Sequence, residues 1–432
     1  MFLPECCGVN EEDHLTVGGC DTVELAARFG TPLYVMDEAT VRRACRLYKT
    51  SFDRYYGGKG CALYASKALC CKELCRIVAS EGLGLDVVSA GELYTALRAG
   101  FPTQKIHFHG NNKTDEELQF ALNSDIGRFV VDNLSELERL QGFAAEVGKK
   151  TEISLRIKPG IDAHTHDFIR TGQIDSKFGF ALETGEAMAA VRAACACPNL
   201  LLREVHCHIG SQIFELDPFV HAAEVMMDFI ASIRSEFPAL TLDLNLGGGF
   251  GISYIEQDAP LPYDEYMRAV SSAVKAKAQA HGLEVPYIYI EPGRSIVGEA
   301  GLTLYKVGSV KEIPGVRTYV AVDGGMTDNP RYALYHSSYS VLLANKAAKP
   351  ADQLVTVAGK CCESGDLIQE NAPIQKAEPG DVLAVLSTGA YNYSMSSNYN
   401  RNPRPAMVMV KDGEARVIIR RESLDDLIKN DI

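Results

Sequence analysis

Short apolar runs alternate with amphipathic stretches over the first two thirds of the chain. Eight of these runs have the length and the aliphatic character of buried β-strands. The first five begin about 22 residues apart, a spacing that fits one strand, one helix and the two loops that join them. The runs occupy residues 61–65, 83–88, 106–109, 128–131, 152–157, 202–207, 242–246 and 287–290.

The segments between these runs have helical periodicity. Within residues 217–237, apolar side chains recur every three or four positions, and Asp217 is expected to cap this helix with Pro218 in its first turn. Strands that alternate with helices predict a parallel sheet, and eight such units predict a closed (β/α)8 barrel of the TIM type. An open, doubly wound sheet is the alternative. The recurring side chains are Phe219, Ala222, Met226, Ile230, Ile233 and Phe237.

The pattern changes near residue 291, after which short strand-like segments follow one another with few helices. The last two are expected to form a hairpin around Asp412 and Gly413, a strong signal for a two-residue turn. Residues 31–37 read as one more strand that returns to pair with this region. The chain is therefore predicted to be an α/β protein, with a barrel over 38–291 and an all-β domain, sandwich or small barrel, from 1–37 and 292–432.

Composition narrows the classes of function. Hydrophobic residues make up 46% of the 432 positions and charged residues 23%, as in a globular protein with a large core. The net charge of -13 argues against nucleic acid and anionic membranes as partners. No apolar run approaches the roughly 20 residues of a membrane span, and no secretory signal is evident, so the cytoplasm is the expected location. The 13 cysteines lack the spacing of zinc sites, and we expect reduced, mostly buried thiols and no metal.

Polar residues and glycines stand where the predicted barrel strands end, which is the face that carries active sites in this fold. Lys67 follows the first strand, Asp86 ends the second, His208 follows the sixth and Glu291 follows the eighth. The seventh strand runs into the glycine-rich segment 247–251. Such a pattern at one face is difficult to explain by packing and predicts a functional site there.

The glycine-rich segment suits an anion, because glycine lets backbone N–H groups approach a phosphate closely. The segment does not match a dinucleotide fingerprint, since the last glycine of that motif is replaced by Ile252 or Tyr254. A lysine in a barrel mouth beside a phosphate cradle suggests a Schiff base with a phosphorylated aldehyde, and so pyridoxal phosphate. Glu291 would then face the pyridine nitrogen and His208 would stack on the ring. A solvated Lys67, a core histidine and an ordinary turn are the plainer interpretations of the same residues.

Several motifs together resemble the diaminopimelate decarboxylases, which belong to the alanine-racemase-like, fold-type III group of pyridoxal-phosphate enzymes. The resemblance covers nearly the whole chain from about residue 30 onward. Some of the motifs are shared with ornithine decarboxylases, whereas HGNNK, CESGD and DNPRYALY are more specific. The matching segments are YASKA (64–68), HGNNK (109–113), HCHIGSQ (206–212), GGGFG (247–251), EPGR (291–294), DGGMTDNPRYALY (323–335), CESGD (362–366) and GAYNYSMSSNYN (389–400).

The resemblance implies a role for each matched residue. Lys67 carries the cofactor, and the thiol of Cys362 donates the proton that replaces the lost carboxylate. Arg294 and Arg331 bind the distal carboxylate of the substrate, and Glu363 accepts from its ammonium. The cofactor-binding candidates are Lys67, Asp86, His208, Ser211, Gly248, Gly249, Glu291, Gly293, Arg294 and Tyr391, and the substrate-binding candidates are Arg294, Arg331, Tyr335, Glu363 and Tyr391.

The implied activity is the decarboxylation of meso-2,6-diaminopimelate to L-lysine and CO2, the last step of lysine biosynthesis. The resemblance also implies a homodimer in which the C-terminal domain of one subunit completes the active site of its partner. Three alternatives stay open: a decarboxylase of ornithine, arginine or carboxynorspermidine, a non-catalytic protein that binds pyridoxal phosphate, and an alanine racemase. The first alternative would place an acidic residue where the arginine pair stands.

Overall fold

A computed structural model describes residues 2–161 and 176–432 of the chain. These residues form two compact units. The barrel unit comprises residues 44–251 and 260–293, and the β unit comprises 1–43, 252–259 and 294–432. The domain boundaries read from the sequence, after residues 37 and 291, stay a prediction.

The strands are named in chain order. They are β1 (Cys7–Val9), β2 (Leu15–Val17), β3 (Cys20–Asp21), β4 (Leu33–Asp37), β5 (Gly60–Ala65), β6 (Gly84–Val87), β7 (Ile106–Phe108), β8 (Arg128–Val131), β9 (Thr151–Lys158), β10 (Phe180–Ala181), β11 (Leu200–Cys207), β12 (Asp243–Asn245), β13 (Ile288–Ile290), β14 (Gly301–Ile313), β15 (Arg317–Val322), β16 (Val341–Leu343), β17 (Gln353–Ala358), β18 (Leu367–Ile374), β19 (Val382–Val385), β20 (Ala406–Lys411) and β21 (Glu414–Ile419).

The α-helices are named in the same way. They are α1 (Thr22–Phe29), α2 (Glu38–Tyr56), α3 (Lys72–Ser80), α4 (Ala90–Ala99), α5 (Asp115–Asn123), α6 (Leu134–Glu146), α7 (Glu186–Cys195), α8 (Asp217–Glu236), α9 (Tyr263–Ala280), α10 (Arg294–Val297), α11 (Arg331–Tyr335) and α12 (Leu424–Ile428). In the described part of the chain, no helix is both long enough and apolar enough to cross a bilayer.

Eight parallel strands of the barrel unit close on themselves. The order is β5, β6, β7, β8, β9, β11, β12 and β13, and β13 pairs with β5 to complete the ring. All eight strands predicted from the sequence are present, so the TIM-type barrel is confirmed and the open sheet is excluded. The strands are short and mostly buried because helices cover the outside and side chains fill the inside.

Side chains cap the helices that follow three of these strands. The side chains of Ser89, Thr114 and Asn133 accept from the N–H groups that begin α4, α5 and α6. Each cap fixes a loop at the carboxyl end of a barrel strand. The expectation for α8 is wrong in one detail: Asp217 is its first residue, and Leu216 holds the cap position without a side-chain bond. The helix starts without a polar cap because its apolar face, rather than a cap, supplies its stability.

The β unit is built around a strand from the beginning of the chain. Strand β4 pairs antiparallel with β14 and parallel with β20, which confirms that residues 31–37 return to this region. Strands β20 and β21 form the predicted hairpin, and both turn residues have positive φ, 51° for Asp412 and 81° for Gly413. Strand β14 also pairs with β15 and β19 and is the most connected strand of the unit.

Candidate active site

The residues singled out in the sequence fall into both units. In the barrel unit they stand at the carboxyl ends of the strands, and in the β unit they stand in loops and short helices. The first group is Lys67, Asp86, His208, Ser211, Gly248, Gly249, Glu291 and Gly293, and the second is Arg294, Arg331, Tyr335, Cys362, Glu363 and Tyr391.

Glu291 lies directly after β13 and is buried. One carboxylate oxygen, Oε1, accepts from Asn245 Nδ2 at 2.8 Å and lies 2.8 Å from His109 Nε2. The other oxygen, Oε2, lies 3.0 Å from His206 Nε2. Burial opposes the charge, but His109 and His206 outweigh it and hold the pKa of Glu291 well below its ordinary value. The barrel therefore keeps an ionised carboxylate among two imidazoles and an amide.

Asp86 ends β6 beside this group and is also buried. Burial raises the pKa of Asp86 to about 6, although the neighbouring His109 acts in the opposite direction. Its Oδ1 atom lies 3.8 Å from His109 Nε2 and has no hydrogen-bond partner among the described residues. An acceptor that is buried without a donor is a place where a bound polar group would fit.

Lys67 lies in a single helical turn, Ser66–Ala68, immediately after β5. Its two neighbours are buried, whereas Lys67 itself is exposed. Burial is the main cause that lowers the pKa of His208, and the charge of the Lys67 ammonium adds to it. The same charge opposes the rise that burial causes in the pKa of Asp86. A hydrogen bond fixes this turn to β6, because the Ser66 hydroxyl donates to the Asp86 carbonyl oxygen at 2.7 Å.

The glycine segment 247–251 packs against two other strand ends. A Cβ on Gly248 would lie 2.2 Å from the carbonyl oxygen of Glu291, so no other residue fits there. Gly249 has a φ of 115°, and a Cβ there would lie 2.7 Å from the Gly210 carbonyl oxygen. The N–H of Gly248 donates to His208 Nδ1 at 3.2 Å. Burial, followed by the charge of Lys67, holds the pKa of His208 well below its ordinary value, so the ring is neutral.

Gly293 packs the turn that carries Lys67 against the loop after β13. A Cβ at this position would meet the Cβ atoms of Ala65 and Ala68 at 3.1 and 3.2 Å. Ser211 is half-buried in the loop after β11. The ends of the first, sixth, seventh and eighth barrel strands therefore form one contiguous surface, as the sequence predicted for this face.

In the β unit, two buried arginines contact the same aromatic ring. Arg294 donates to the Tyr254 hydroxyl, and its guanidinium also lies 4.8 Å from the ring centre of Tyr391. The guanidinium of Arg331 lies 4.7 Å from the Tyr254 ring centre and donates to the hydroxyl of Tyr339 at 3.0 Å. No carboxylate among the described residues pairs with Arg331. A buried cation without an anionic partner is a strong attractor for an anionic ligand.

Adjacent cysteines in the loop after β17 differ in their surroundings. Cys361 is buried, and this burial, with nearby Asp366, raises its pKa to about 11. Cys362 is exposed, and its N–H donates to Asn400 Oδ1 at 2.7 Å. The buried Asp366 carboxylate fixes the loop by accepting from the N–H groups of Cys361 and Met326 at 2.7 and 2.6 Å. The geometry thus presents Cys362 to solvent and keeps Cys361 in the interior.

Two further candidates in the β unit are less constrained. Glu363 is exposed, and its Oε1 accepts only from the nearby Gly365 N–H, at 3.3 Å, among the described residues. Tyr335 is half-buried at the end of α11. The sequence also led us to expect mostly buried thiols, but only six of the 13 cysteines are buried, and none of the 13 forms a disulfide bond.

Comparison with known proteins places these residues in a family. Residues 38–298 match the family described as "Pyridoxal-dependent decarboxylase, pyridoxal binding domain". The diaminopimelate decarboxylase of Bacillus methanolicus is 51% identical over 424 residues, covering 98% of both chains, and that of Bacillus subtilis is 49% identical over 432 residues, covering all of this chain and 98% of its own. The chain belongs to the diaminopimelate decarboxylase family.

Solved structures agree with this assignment. The crystal structure of a family member from M. jannaschii in co-complex with L-lysine has a TM-score of 0.93 and 36% identity, and covers 100% of this chain and 99% of its own. The Helicobacter pylori diaminopimelate decarboxylase complexed with L-lysine has a TM-score of 0.85 and 33% identity, and covers 95% of this chain and 98% of its own. The resemblance recognised in the sequence is thereby confirmed, as are the enzyme class, a carboxy-lyase, and the cofactor, pyridoxal 5′-phosphate.

The barrel residues fit the cofactor of this family. An ionised Glu291 suits a protonated pyridine nitrogen, and a neutral His208 offers a flat face for a ring. The glycines at 248 and 249 leave room that any Cβ would fill, and the side chain of Lys67 is accessible to an aldehyde. When bound, pyridoxal phosphate draws electrons from a bond at the carbon that carries the amine.

Sequence reasoning missed several residues that surround the assigned ones. His206 and Asn245 hold Glu291, and the two-residue period of a strand places His206 on the same face as His208, a signal that could have been used. His109 opens the HGNNK motif but was given no role of its own. Tyr254 lies 40 positions from Arg294 in the chain, and neither Tyr254 nor Tyr339, which contacts Arg331, belongs to a motif that was recognised.

Proposed function

We propose that the chain decarboxylates meso-2,6-diaminopimelate to L-lysine and CO2 with pyridoxal phosphate, as the last step of lysine biosynthesis. The observation that carries the substrate assignment is the pair Arg294 and Arg331 on the ring of Tyr254. Family membership supports the reaction, and the M. jannaschii relative is described with L-lysine bound.

The arginine pair favours diaminopimelate over simpler diamino acids. The distal end of diaminopimelate bears a carboxylate as well as an ammonium, whereas the distal ends of ornithine and lysine bear only an ammonium. A cation 4 Å from an ammonium costs about 4 kcal/mol at the effective dielectric constant of such sites, and a carboxylate gains a similar amount. We propose that Arg294 and Arg331 bind the distal carboxylate and that Glu363 and Tyr335 contact the ammonium end.

On the cofactor side, we propose that the amine of Lys67 would hold the cofactor through its aldehyde. Glu291 would hold a proton at the ring nitrogen, and His208 would pack against the ring. Asp86 is proposed to contact the cofactor as well. The phosphate would be bound by Ser211, Gly248, Gly249, Gly293 and Arg294, with Tyr391 close to it.

The carbon that loses CO2 must gain a proton, and we propose Cys362 as the donor. A thiol ordinarily has a pKa of about 8.5, near enough to neutrality to give a proton and recover it. Cys361 is a poor candidate, because burial raises its pKa to about 11 and its side chain lies in the interior. The accessibility of Cys362 and the family motif around it support this choice.

The same proposal includes a cytoplasmic homodimer in which Cys362 and Glu363 act in the active site of the partner subunit. Mixing two inactive variants tests it. Lys67→Ala and Cys362→Ala subunits, each inactive alone, should give about one quarter of the wild-type activity after reassociation, because half of the dimers then contain one intact site. Mixtures without activity would show that both residues serve the same subunit.

The substrate is tested by measuring CO2 release by the purified protein with pyridoxal phosphate. We expect release from meso-diaminopimelate, and preference for lysine, ornithine or arginine in parallel assays would refute the assignment. Lys67→Ala should abolish the visible absorption band of the bound cofactor. Lys72→Ala, an exposed lysine at the start of α3, is the matched control and should keep the band.

A further inference from the structure

A cavity of about 270 Å³ lies at the end of the barrel opposite to Glu291. Its wall is formed where strands begin, and includes Gly60 of β5, Gly84 of β6, Lys105 before β7 and Tyr287 before β13. None of the residues assigned to the cofactor or the substrate lines it. Active sites of this fold lie at the other end of the strands, so this basal cavity is a separate feature.

The wall contains a buried polar side chain without a partner. His107 lines the cavity and is 4% exposed, and its Nδ1 has no hydrogen-bond partner among the described residues. Its Nδ1 lies 3.9 Å from Glu204 Oε1, beyond hydrogen-bond distance. A buried polar group left without a partner is destabilising, which marks this wall as a place for a polar atom of a ligand.

Aromatic rings form the rest of the inner wall. The ring centre of Tyr289 lies 5.0 Å from that of His107 and 4.9 Å from that of Tyr287. The three rings are tilted by 51° and 50° to one another and give a largely aromatic wall, which is typical of small-molecule sites. Roughly 300 Å³ is the lower limit for such sites, so the ligand would be small.

The mouth of the cavity is cationic. Lys49 and Lys105 both line it, and none of its lining residues is acidic. This contrasts with a chain whose net charge is -13. The ammonium of Lys105 donates to the Gly82 carbonyl at 3.2 Å, which holds it at the rim. Two cations at the entrance would attract an anion and repel a cation.

We propose that the basal cavity binds a small aromatic carboxylate, with its carboxylate between Lys49 and Lys105 and its ring against Tyr287 and Tyr289. The polar edge of such a ligand would reach the unpartnered Nδ1 of His107. The cationic mouth favours an anionic ligand, the aromatic wall favours a ligand with an aromatic ring, and the volume of the cavity limits the size of the ligand. This site does not depend on the proposed reaction.

Calorimetric titration of the holoenzyme with 4-hydroxybenzoate tests the site. Saturating L-lysine is added because a carboxylate is also attracted by Arg331 at the proposed substrate site. We expect saturable one-to-one binding that weakens with rising salt. Lys49→Gln/Lys105→Gln should weaken binding at least about tenfold, as expected when two charges at the mouth are lost. Lys150→Gln removes an exposed lysine outside the cavity and should leave the affinity unchanged.

A second variant tests the space inside the cavity independently of the charge at its mouth. Ala62→Met fills the cavity without altering the lysines, and a melting curve checks that the variant is folded. We expect it to lose binding. The proposal is overturned if no saturable heat is seen, if L-lysine displaces the ligand, if Ala62→Met binds normally, or if Lys150→Gln weakens binding as much as the double variant does.

Discussion

Replacing Lys113 by methionine tests how the barrel holds the loop that carries His109. Lys113 is 2% exposed, and its ammonium lies 2.7 Å from Glu136 Oε1, whose side chain is fully buried. The same ammonium donates to the carbonyl oxygens of Gly110 and Val130 at 2.9 and 2.8 Å. Every proton of the ammonium is thus used, and the residue after His109 is tied to the end of β8.

The expected loss of stability follows from these contacts. Breaking a buried ion pair from one side costs about 3–5 kcal/mol, because the remaining charge stays buried without a partner. In Lys113→Met that remaining charge is Glu136, whose carboxylate keeps the hydrogen bond from the Asp132 N–H at 3.1 Å. We therefore expect Lys113→Met to lower the free energy of unfolding by about 3–5 kcal/mol near neutral pH.

The loss should depend on pH. Burial raises the pKa of Glu136 in the folded protein, and Lys113 opposes that rise. Without the lysine the pKa rises further, so the folded variant binds a proton that the unfolded chain does not. Its stability then falls as pH rises between the unfolded and the folded pKa, by up to about 1.4 kcal/mol per pH unit. The difference from wild type should be small near pH 5 and larger near pH 8.

Urea unfolding of wild type, Lys113→Met, Glu136→Gln and the double variant at both pH values provides the measurement. Lys113→Met/Glu136→Gln should recover at least half of the loss, since no charge is then left without a partner, and its midpoint should no longer vary with pH relative to wild type. The reasoning would be refuted if the loss of stability in Lys113→Met did not change with pH. It would also be refuted if the double variant were no more stable than Lys113→Met.

Three further predictions concern the site and the β unit. Cys362→Ala should lower kcat by about 10²–10⁴-fold in the CO2 assay, whereas Cys361→Ala should stay within a few-fold of wild type; equal losses would exclude a specific role for Cys362. Arg331→Gln should raise the KM for diaminopimelate roughly tenfold or more while the cofactor band is kept, and an unchanged KM would remove the arginine from the substrate site. Gly413→Ala should lower the free energy of unfolding by about 1 kcal/mol because φ is 81°, measurable as a lower melting temperature; an unchanged melting temperature would contradict this.

The barrel could be predicted because its strands can be recognised from the sequence alone. They are buried on both faces, so they stand out as apolar runs, and the helices between them repeat at a regular interval. The rule that sites lie at the carboxyl ends of strands then selected Lys67, Asp86, His208 and Glu291 without reference to structure. Strand β1 was missed because it has only three residues, and β18 was missed because polar residues interrupt its apolar ones.

The surroundings of the site could not be predicted in the same way. Tyr254 supports both arginines, yet it is separated from Arg294 by 40 positions and from Arg331 by more, so only folding brings them together. The exposure of Lys67 and the burial of Cys361 beside an exposed Cys362 also depend on tertiary packing. The residues next to Cys361 and Cys362 in the sequence do not indicate which of the two thiols is buried.

The position of β4 has a consequence for the order in which the protein can assemble during synthesis. This strand is made among the first 37 residues, but its two partners, β14 and β20, are made more than 260 residues later. All eight barrel strands leave the ribosome before either partner, so the barrel can form while β4 is still unpaired. A chain that stops before residue 406 lacks β20 and leaves one edge of β4 open to pairing with other chains.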